Sequence, residues 1–368
     1  MTKLNAAFAL LSVLMAESCA NAQQAIAVQL SPQERTFRKW DKNGDSVLVR
    51  SEVPEGLRRI FDRVDRNRDG KVTLAEHMAA TSGKKRAQPS VTPGERKRHI
   101  IRQTWRQEPQ GFDRDFFVQA PSTAGQRWPI TFLFHGNGGN ARSTMRQWPE
   151  LLQGQLLVAP QGYQRSWNIS DEKSKAPDVE YFKLMVAEIK QKYPRADLSN
   201  ISLIGFSNGA GYIFRLLIEL DETVVIRNAV AMVSSMVTEQ YHQHAFWARS
   251  DDSTVIYNQK TTPVGTRNIL TIHGTADRIV PYKGGMRGRN SRHLSAQDTA
   301  YAWARQQGFQ GRQLKDSEGM PLSEEIVRYA YPQSKVTHFK VINGGHGFGP
   351  VSRQVNDLVR DFIQANVR

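Results

Sequence analysis

The sequence contains very little cysteine and no long hydrophobic run, and each shortage excludes a class of structure. Cys19 is the only cysteine in 368 residues, so no disulfide can form within the chain. No apolar stretch approaches the roughly 20 residues that a membrane-spanning helix needs. We therefore expect no transmembrane span, and a fold stabilised by a hydrophobic core without cross-links.

Acidic residues are also scarce relative to basic ones. The chain has 35 Asp and Glu but 50 Lys and Arg, which gives a formal net charge of +15. Such a charge favours anionic partners. The most basic segments, residues 83–86, 95–99 and 287–292, are scattered, and no recognised nucleic-acid-binding module accompanies them. We therefore expect no nucleic-acid partner and consider an anionic polysaccharide or another polymer of the cell envelope a better match.

The N-terminus has the three parts of a secretory signal peptide. Lys3 precedes a short apolar stretch over residues 6–16, and residues 20–22 form an A-x-A cleavage site. We therefore expect residues 1–22 to be removed and the protein to be secreted or periplasmic. Cleavage at this site would remove Cys19. Lipidation of Cys19 is the alternative, although the preceding residues resemble a lipoprotein signal poorly.

The composition divides the remaining chain into three regions. Residues 31–80 contain two similar segments rich in Asp and Asn, and residues 81–98 have the Gly, Pro and basic composition of a linker. From residue 99 to 368, short apolar runs alternate with longer amphipathic ones, which predicts an α/β domain with a mostly parallel sheet flanked by helices. The expected strands lie in residues 130–136, 155–162, 201–207, 228–235, 269–274 and 338–345, and the expected helices in residues 178–192, 209–220, 295–307 and 351–366.

The second acidic segment, residues 65–76, matches the twelve-residue EF-hand calcium loop. Gly70 stands at the sixth position, where the loop turns sharply, and Val72 is the apolar eighth residue. Ca²⁺ prefers six to eight oxygen ligands, which alternating Asp and Asn residues direct inward. The predicted ligands are Asp65, Asn67, Asp69, the Lys71 carbonyl, Thr73 (often through water) and Glu76.

The first acidic segment, residues 41–52, matches the same loop less well. Ser46 replaces the glycine at the sixth position, and a residue with a Cβ is strained at the positive φ expected there. We therefore predict weaker calcium binding at this loop than at residues 65–76. Its predicted ligands are Asp41, Asn43, Asp45, the Val47 carbonyl and Glu52.

Only residues 53–64 separate the two loops, so they are expected to serve as the helix that leaves the first loop and enters the second. The pair resembles the compact EF-hand pairs fused to exported bacterial enzymes. Because an exported protein meets millimolar calcium, we expect the bound calcium to have a structural role and not a sensing one, and we expect no organic cofactor. The small shared core is predicted to contain Phe37, Trp40, Leu57, Ile60, Phe61 and Val64.

A serine between two glycines suggests a nucleophile. Residues 205–209 read GFSNG and fit G-x-S-x-G, in which a strand, a sharp turn and a helix expose the serine above a sheet. Ser207 would need a histidine to accept its proton and an acid to orient that histidine. In this fold the chain order is serine, acid, histidine.

The acid and the histidine follow from that order. Asp277 lies in the loop after a buried strand, in HGTADRIVPY (residues 273–282). Three histidines follow it, of which His293 lies in a polar stretch and His338 inside a strand-like run. His346 lies in a glycine-rich loop directly after that run, so we predict that it is the base.

The oxyanion formed during acyl transfer needs backbone N–H donors. One is expected from Asn208, the residue after the nucleophile, and the other from Asn137 or Gly138 at the end of an early strand. His135, which precedes them, is expected to shape the turn and not to take part in the chemistry.

Six segments over some 240 residues resemble the exported esterases grouped with polyhydroxybutyrate depolymerases and feruloyl esterases. The matching segments are HGNGGN (135–140), QGYQRSWN (161–168), GFSNGA (205–210), HGTADRIVPY (273–282), SAQDTAYAWA (295–304) and GGHGFGP (344–350). The resemblance implies an α/β-hydrolase fold, a carboxylic ester substrate, and a triad of Ser207, Asp277 and His346.

The same resemblance implies that Trp167 lines the acyl or leaving-group pocket. The chain departs from the family at Asn137, where a cysteine is common, and at Gly347-Phe348, where threonine-tryptophan usually follows the histidine. Phe348 is also a predicted substrate-binding residue, and its departure from the family means that the resemblance specifies the reaction better than the substrate. Peptide hydrolysis, and a calcium-dependent adhesion protein with an inactive hydrolase domain, are the alternatives.

Overall fold

The computed structural model describes residues 31–65, 69–81, 94–121, 127–252, 255–287 and 291–367. The expected signal peptide, with Cys19, lies outside the described residues. So do the predicted calcium ligand Asn67 and residues 82–93 of the expected linker. The chain divides into two compact units, residues 1–90 and 91–368.

The first unit consists of short helices and one small two-stranded sheet. Helix α1 begins with a capping box, in which the Ser31 side chain accepts a hydrogen bond from the Glu34 N–H and the Glu34 carboxylate accepts one from the Ser31 N–H. Strands β1 and β2 pair antiparallel and join the two acidic loops. The elements are α1 (Pro32–Trp40), β1 (Val47–Leu48), a 3₁₀ helix (Glu55–Ile60), α2 (Phe61–Val64), β2 (Val72–Thr73) and α3 (Leu74–Thr81).

The core of this unit differs from the prediction at one position. Phe37 and Phe61 are buried as expected, and Trp40 and Val64 pack against them. Leu57 is 38% exposed, however, because residues 55–60 form a 3₁₀ helix, whose three-residue turn points side chains in other directions than an α-helix would. The Ile60 side chain is not described. The core also includes Leu48, Val53 and Val72.

A ten-stranded sheet dominates the second unit. Its central strands, in the order β17-β12-β8-β7-β5-β6, are parallel, and antiparallel strands extend it at both edges. The predicted α/β class with a mostly parallel sheet is therefore confirmed. The strands of this sheet are β3 (Arg96–Trp105), β4 (Glu108–Gln119), β5 (Trp128–Phe134), β6 (Leu156–Pro160), β7 (Ala196–Phe206), β8 (Ile226–Met232), β12 (Asn268–Gly274), β15 (Met320–Pro321), β16 (Ile326–Tyr331) and β17 (Val336–Val341).

Helices cover both faces of this sheet, and each face has its own hydrophobic core. One core contains residues of helices α6, α7 and α8, and the other contains residues of α4, α5 and α9. The four longer helices agree with the predicted segments to within one residue at each end. The helices are α4 (Ala141–Met145), α5 (Trp148–Leu151), α6 (Asp178–Lys192), α7 (Asn208–Glu219), α8 (Ala296–Gln306) and α9 (Ser352–Ala365).

Two small sheets are inserted between the later strands. Strands β9 (Tyr241–His242), β10 (Ala245–Arg249) and β11 (Tyr257–Thr261) form one, and β13 (Gly285–Arg287) and β14 (Ser291–His293) form the other. Within the described ranges, no helix is long and apolar enough to cross a membrane.

The predicted linker ends earlier than residue 98. Strand β3 begins at Arg96, which pairs with Gln119 of β4. This strand lies at the edge of the sheet, where exposed Lys and Arg side chains are common because they discourage pairing with other chains. Arg96, Lys97 and Arg98, which contributed to the linker prediction, therefore belong to an edge strand.

A buried ion pair connects the edge strands to helix α6. The Arg114 guanidinium and the Asp178 carboxylate are 2.6 Å apart, and neither side chain is exposed. The second carboxylate oxygen of Asp178 accepts a hydrogen bond of 2.7 Å from the Asn168 backbone N–H. One buried carboxylate thus fixes both strand β4 and the loop before α6.

We expect Asp178→Ala to lower the free energy of unfolding by about 3–5 kcal/mol, because Arg114 would keep a buried charge without its partner. Lys183→Ala, which removes one partner of the exposed Lys183–Asp221 pair, should cost about 1 kcal/mol or less. Chemical denaturation of both variants measures the difference. Equal losses would show that the Arg114–Asp178 pair contributes no more than a surface pair.

Candidate active site

Ser207 lies in a strained turn between strand β7 and helix α7. Its φ of 53° is in the left-handed region, which residues with a side chain rarely adopt. The flanking glycines are required by close backbone contacts. A Cβ on Gly205 would lie 2.5 Å from the Gly209 carbonyl oxygen, and one on Gly209 would lie 2.4 Å from the Phe134 carbonyl oxygen. The G-x-S-x-G pattern therefore follows from packing at the turn.

The structure brings the three residues of the predicted triad together. His346 Nε2 lies 2.8 Å from the Ser207 Oγ, and His346 Nδ1 lies 2.8 Å from the Asp277 Oδ2. The three residues follow the C-terminal ends of the parallel strands β7, β12 and β17. Ser207 is buried, at 6% exposed, and the His346 side chain is 20% exposed, so the imidazole is partly open to solvent.

The Asp277 carboxylate is fully buried and saturated with hydrogen bonds. Its Oδ1 accepts from the N–H groups of Ile279 and Val280, at 2.8 and 3.0 Å. Its Oδ2 contacts His346 and also His273 Nε2, at 3.2 Å. Burial raises the pKa of Asp277, but the hydrogen bonds from His273, His346 and the two backbone groups outweigh it and hold the pKa below its usual range. The carboxylate is therefore ionised.

The other two candidates for the base, His293 and His338, lie in structural positions. His338 is buried between Thr271 and Tyr282, and burial lowers its pKa to about 3. His293 lies near the buried Ser235 and Ser291.

The structure gives His135 the role in the turn that the sequence suggested. Its Nδ1 lies 2.8 Å from the Gly136 carbonyl oxygen, and its Nε2 accepts a hydrogen bond from the Gly162 N–H. Burial lowers the pKa of His135 to about 4. The neutral ring therefore joins two loops at the end of strand β5.

One backbone N–H group beside the nucleophile belongs to Asn208, and the loop after strand β5 was predicted to supply a second. Asn208 is the first residue of helix α7, so its N–H has no acceptor within the helix. The loop after strand β5 is close to Ser207, since a Cβ on Gly136 would lie 3.4 Å from the Ser207 Cβ. The Gly138 N–H donates to the Arg165 carbonyl, at 2.8 Å. Gly138 is therefore not available as an oxyanion donor, which leaves Asn137 of the two predicted alternatives.

The buried side chain of Asn208 holds the neighbouring loop in place. Its Oδ1 accepts from the Trp167 N–H at 2.7 Å, and its Nδ2 donates to the Trp167 carbonyl and to a Glu172 oxygen, both at 3.1 Å. The residue that offers a backbone donor thus also fixes the segment that packs behind it.

Trp167 does not line a pocket that a substrate can reach. Its side chain is fully buried, stacks on Tyr212 at 4.7 Å, and donates from Nε1 to the His135 carbonyl. The expected contact with substrate is therefore wrong for this structure. A tryptophan that follows a strand and lies near the site in sequence can also belong to the core behind the site, and the motif alone does not distinguish the two positions.

A cavity of about 370 Å³ lies beside the nucleophile turn, between helices α4, α5 and α9. Phe348, a predicted substrate contact, lines it, and so does Trp148, which the sequence did not indicate. Among the described residues, no Asp, Glu, Lys or Arg side chain lines this cavity. The lining residues are Phe134, His135, Gly136, Gly139, Ser143, Thr144, Gln147, Trp148, Ile204, Gly205, Phe206, Met232, Gly347, Phe348, Ser352 and Asn356.

The two acidic loops of the first unit have the backbone turns of calcium loops. Gly70 has a φ of 79°, and its N–H donates to Asp65 Oδ2. Ser46, at the matching position of the first loop, has a φ of 67°, so the predicted strain at this residue is present. Its N–H likewise donates to the Asp41 carboxylate.

The predicted calcium ligands are placed more favourably in the second loop than in the first. Asp65 is 4% exposed, and its Oδ1 has no hydrogen-bond partner among the described residues. Both Asp41 oxygens, in contrast, accept backbone hydrogen bonds. Glu76 Oε2 accepts from Thr73, and over the described part of the chain no three acidic or histidine side chains are gathered into a ligand cluster. Both loops thus have the turn at the sixth position, and among the described residues the buried Asp65 Oδ1 has no partner. The carboxylates of Asp41 and Glu76 instead accept hydrogen bonds from the protein.

Comparison with known proteins gives a likeness in structure and none in sequence. No family model and no curated protein matches the chain. A carboxylesterase from Bacillus cereus is 12% identical with a TM-score of 0.43, covering 69% of this chain and 94% of the other. An acetyl xylan esterase from Aspergillus awamori is 15% identical with a TM-score of 0.45, covering 72% and 99%, and a bacterial heroin esterase is 12% identical with a TM-score of 0.46, covering 74% and 85%.

These values are too low to carry a function over to this chain. The fold is instead identified by its own features: a strand, a sharp turn with the serine, and a helix, followed along the chain by the acid and the histidine. This arrangement is the α/β-hydrolase fold, as the sequence predicted. Chemically, it can generate a serine nucleophile beside the backbone N–H of Asn208 at the start of helix α7.

Proposed function

We propose that this protein is a serine hydrolase that cleaves carboxylic esters. The observation that carries the proposal is the continuous chain of hydrogen-bonding distances from Ser207 through His346 to the buried carboxylate of Asp277. Such a chain is needed to make a serine hydroxyl nucleophilic and has no evident structural purpose at a turn that is itself strained.

Each residue would have one role in the reaction. His346 Nε2 accepts the proton as the Ser207 Oγ attacks the ester carbonyl, and Asp277 stabilises the imidazolium that results. The N–H groups of Asn208 and Asn137 bind the oxyanion. His346 then returns the proton to the leaving alcohol. The acyl group remains bound to the Ser207 Oγ as an acyl-enzyme. Water attacks this intermediate by the same route and releases the acid.

The preference for esters over peptides is supported by the family resemblance. Among the described residues, no charged side chain lines the cavity beside the nucleophile turn, which suits a neutral acyl or alcohol group. Hydroxybutyrate-type esters, feruloyl esters and acetyl groups on a polysaccharide are the candidate substrates, and the last could be anionic. Peptide hydrolysis is the second candidate, because one triad serves both bonds.

A calcium-dependent binding or adhesion protein with an inactive hydrolase unit is the alternative of a different class. The two acidic loops favour it, since they are unrelated to ester hydrolysis. The complete hydrogen-bonded chain of Ser207, His346 and Asp277 argues against it, because an inactive unit has no reason to keep all three groups in register.

We further propose that the protein is exported to the periplasm or the medium and binds Ca²⁺ through the acidic loops. The N-terminal signal pattern supports export. The turn at Gly70 and the unpartnered Oδ1 of Asp65 support binding at the second loop. When bound, Ca²⁺ would stabilise the first unit by linking residues that are distant along each loop.

Replacing the nucleophile tests the enzymatic proposal. Ser207→Ala should lower kcat on p-nitrophenyl acetate by about 10⁶-fold, because no other hydroxyl would be activated. Thermal unfolding should be almost unchanged, and comparison with methyl ferulate, a hydroxybutyrate oligomer and a peptide anilide identifies the bond that is cleaved. Undiminished hydrolysis by this variant would refute the proposal.

Calcium binding can be measured by isothermal titration and by the melting temperature, without any activity assay. Asp65→Ala should abolish the tighter binding event and its contribution to the melting temperature, because its carboxylate supplies the first ligand position. Asp41→Ala should affect only weaker binding. Glu55→Ala, which removes an exposed carboxylate outside both loops, is the control. Equal binding by the Asp65→Ala variant and the unmodified protein would exclude the second loop as a calcium site.

A further inference from the structure

His273 is a buried histidine next to the triad, and the proposed reaction assigns it no role. It is 1% exposed and lies near the C-terminal end of strand β12, four residues before Asp277. Its Nε2 is 3.2 Å from Asp277 Oδ2 and 2.9 Å from the Val280 carbonyl oxygen. The Asp277 carboxylate therefore faces two histidines, and only one of them reaches Ser207.

The surroundings of His273 determine where its proton lies. Both neighbours of Nε2 are oxygens that accept hydrogen bonds, so Nε2 must be the protonated nitrogen. Nδ1 is buried and has no hydrogen-bond partner among the described residues. A cationic ring would therefore bury an unpaired N–H donor, whereas the neutral ring leaves only a lone pair unsatisfied. His273 is thus a neutral donor with a fixed tautomer.

We propose that His273 is a positioning residue for the catalytic acid: its Nε2–H holds the Oδ2 of Asp277 toward His346 and shares the negative charge of that oxygen. The inference rests on the proposed function, because it assigns His273 to the same reaction. His273 would not contact the substrate, and its effect would pass entirely through Asp277.

The geometry explains why two donors are needed on this oxygen. Oδ1 is held by the N–H groups of Ile279 and Val280, which belong to the same loop as the carboxylate. Without His273, the orientation of Oδ2 would depend on His346 alone, the group that it is supposed to orient. His273 lies on a strand of the central sheet, so its bond ties Oδ2 to a rigid element.

The same bond has an electrostatic consequence of definite sign. A donor on Oδ2 reduces the negative charge that this oxygen presents to His346. Removal of the donor would increase that charge, so the acidic limb of the kcat/KM profile of the enzyme would move to higher pH.

The groups that face this region constrain the test. His346 contacts Asp277, Ser207 and the edge of the Phe206 ring. The His273 ring packs edge-on against Tyr282. Tyr282 in turn contacts His338, and beyond it lie Tyr329 and the Lys340–Asp316 ion pair. A His273 variant changes the contact with Tyr282 as well as the bond with Asp277, so a matched control at a neighbouring buried histidine is needed.

Two substitutions separate positioning from simple packing. His273→Leu removes the donor and keeps an apolar side chain, whereas His273→Gln places an amide N–H close to the position of Nε2. The Leu variant should lose roughly 10- to 100-fold in kcat at nearly constant KM, and its acidic limb should move to higher pH. The Gln variant should recover most of the activity and the original pH profile.

His338→Leu is the matched control, since His338 is also buried, in the adjacent strand β17, and does not contact Asp277. It should lower the melting temperature without moving the acidic limb. If the His273→Leu variant does not fold, His273→Asn replaces it, because the shorter amide falls short of Oδ2.

Equal losses for the Leu and Gln variants, with an unchanged acidic limb in both, would overturn the inference and leave His273 with a packing role only. That result would leave the proposed function intact. Conversely, if Ser207→Ala retained full hydrolysis, the proposed function itself would fail, whatever the behaviour of the His273 variants.

Discussion

The site depends on one buried carboxylate. Asp277 is excluded from solvent, and burial alone would favour its neutral form, which could not orient or stabilise a cationic imidazole. Four donors offset that cost: two backbone N–H groups on one oxygen and the rings of His273 and His346 on the other. Asp277 therefore stays ionised next to His346. Its contact with His346 Nδ1 orients the ring so that Nε2 lies next to the Ser207 Oγ.

The other requirements are met by the backbone. At the strained turn of Ser207, strands β5 and β7 and helix α7 approach so closely that only glycine fits at positions 205 and 209. The same turn leaves the Asn208 N–H free at the start of the helix. The Asn208 side chain then locks the Trp167 segment behind the site. The position of Ser207, the Asn208 N–H at the helix start and the attachment of the Trp167 segment thus all follow from a single turn.

Much of this could be predicted from the sequence, because the signals are local. A run of apolar residues followed by a glycine-flanked serine specifies the turn, and chain order selects Asp277 and His346. Signals that depend on distant packing were missed or misread. Trp167 was expected at the substrate but lies in the core, and Arg96 suggested a linker but begins an edge strand. The bond from His273 to Asp277 depends on a loop that turns back on its own strand, which no spacing rule indicates.

The central claim is that Ser207 is an activated nucleophile, and covalent labelling tests it most directly. A fluorophosphonate probe should react with one serine per chain, and mass spectrometry of the digested protein should locate the adduct on the peptide that contains Ser207. The reaction should require His346 and should not require calcium. Absence of an adduct, or an adduct on another serine while Ser207 remains unmodified, would contradict the account.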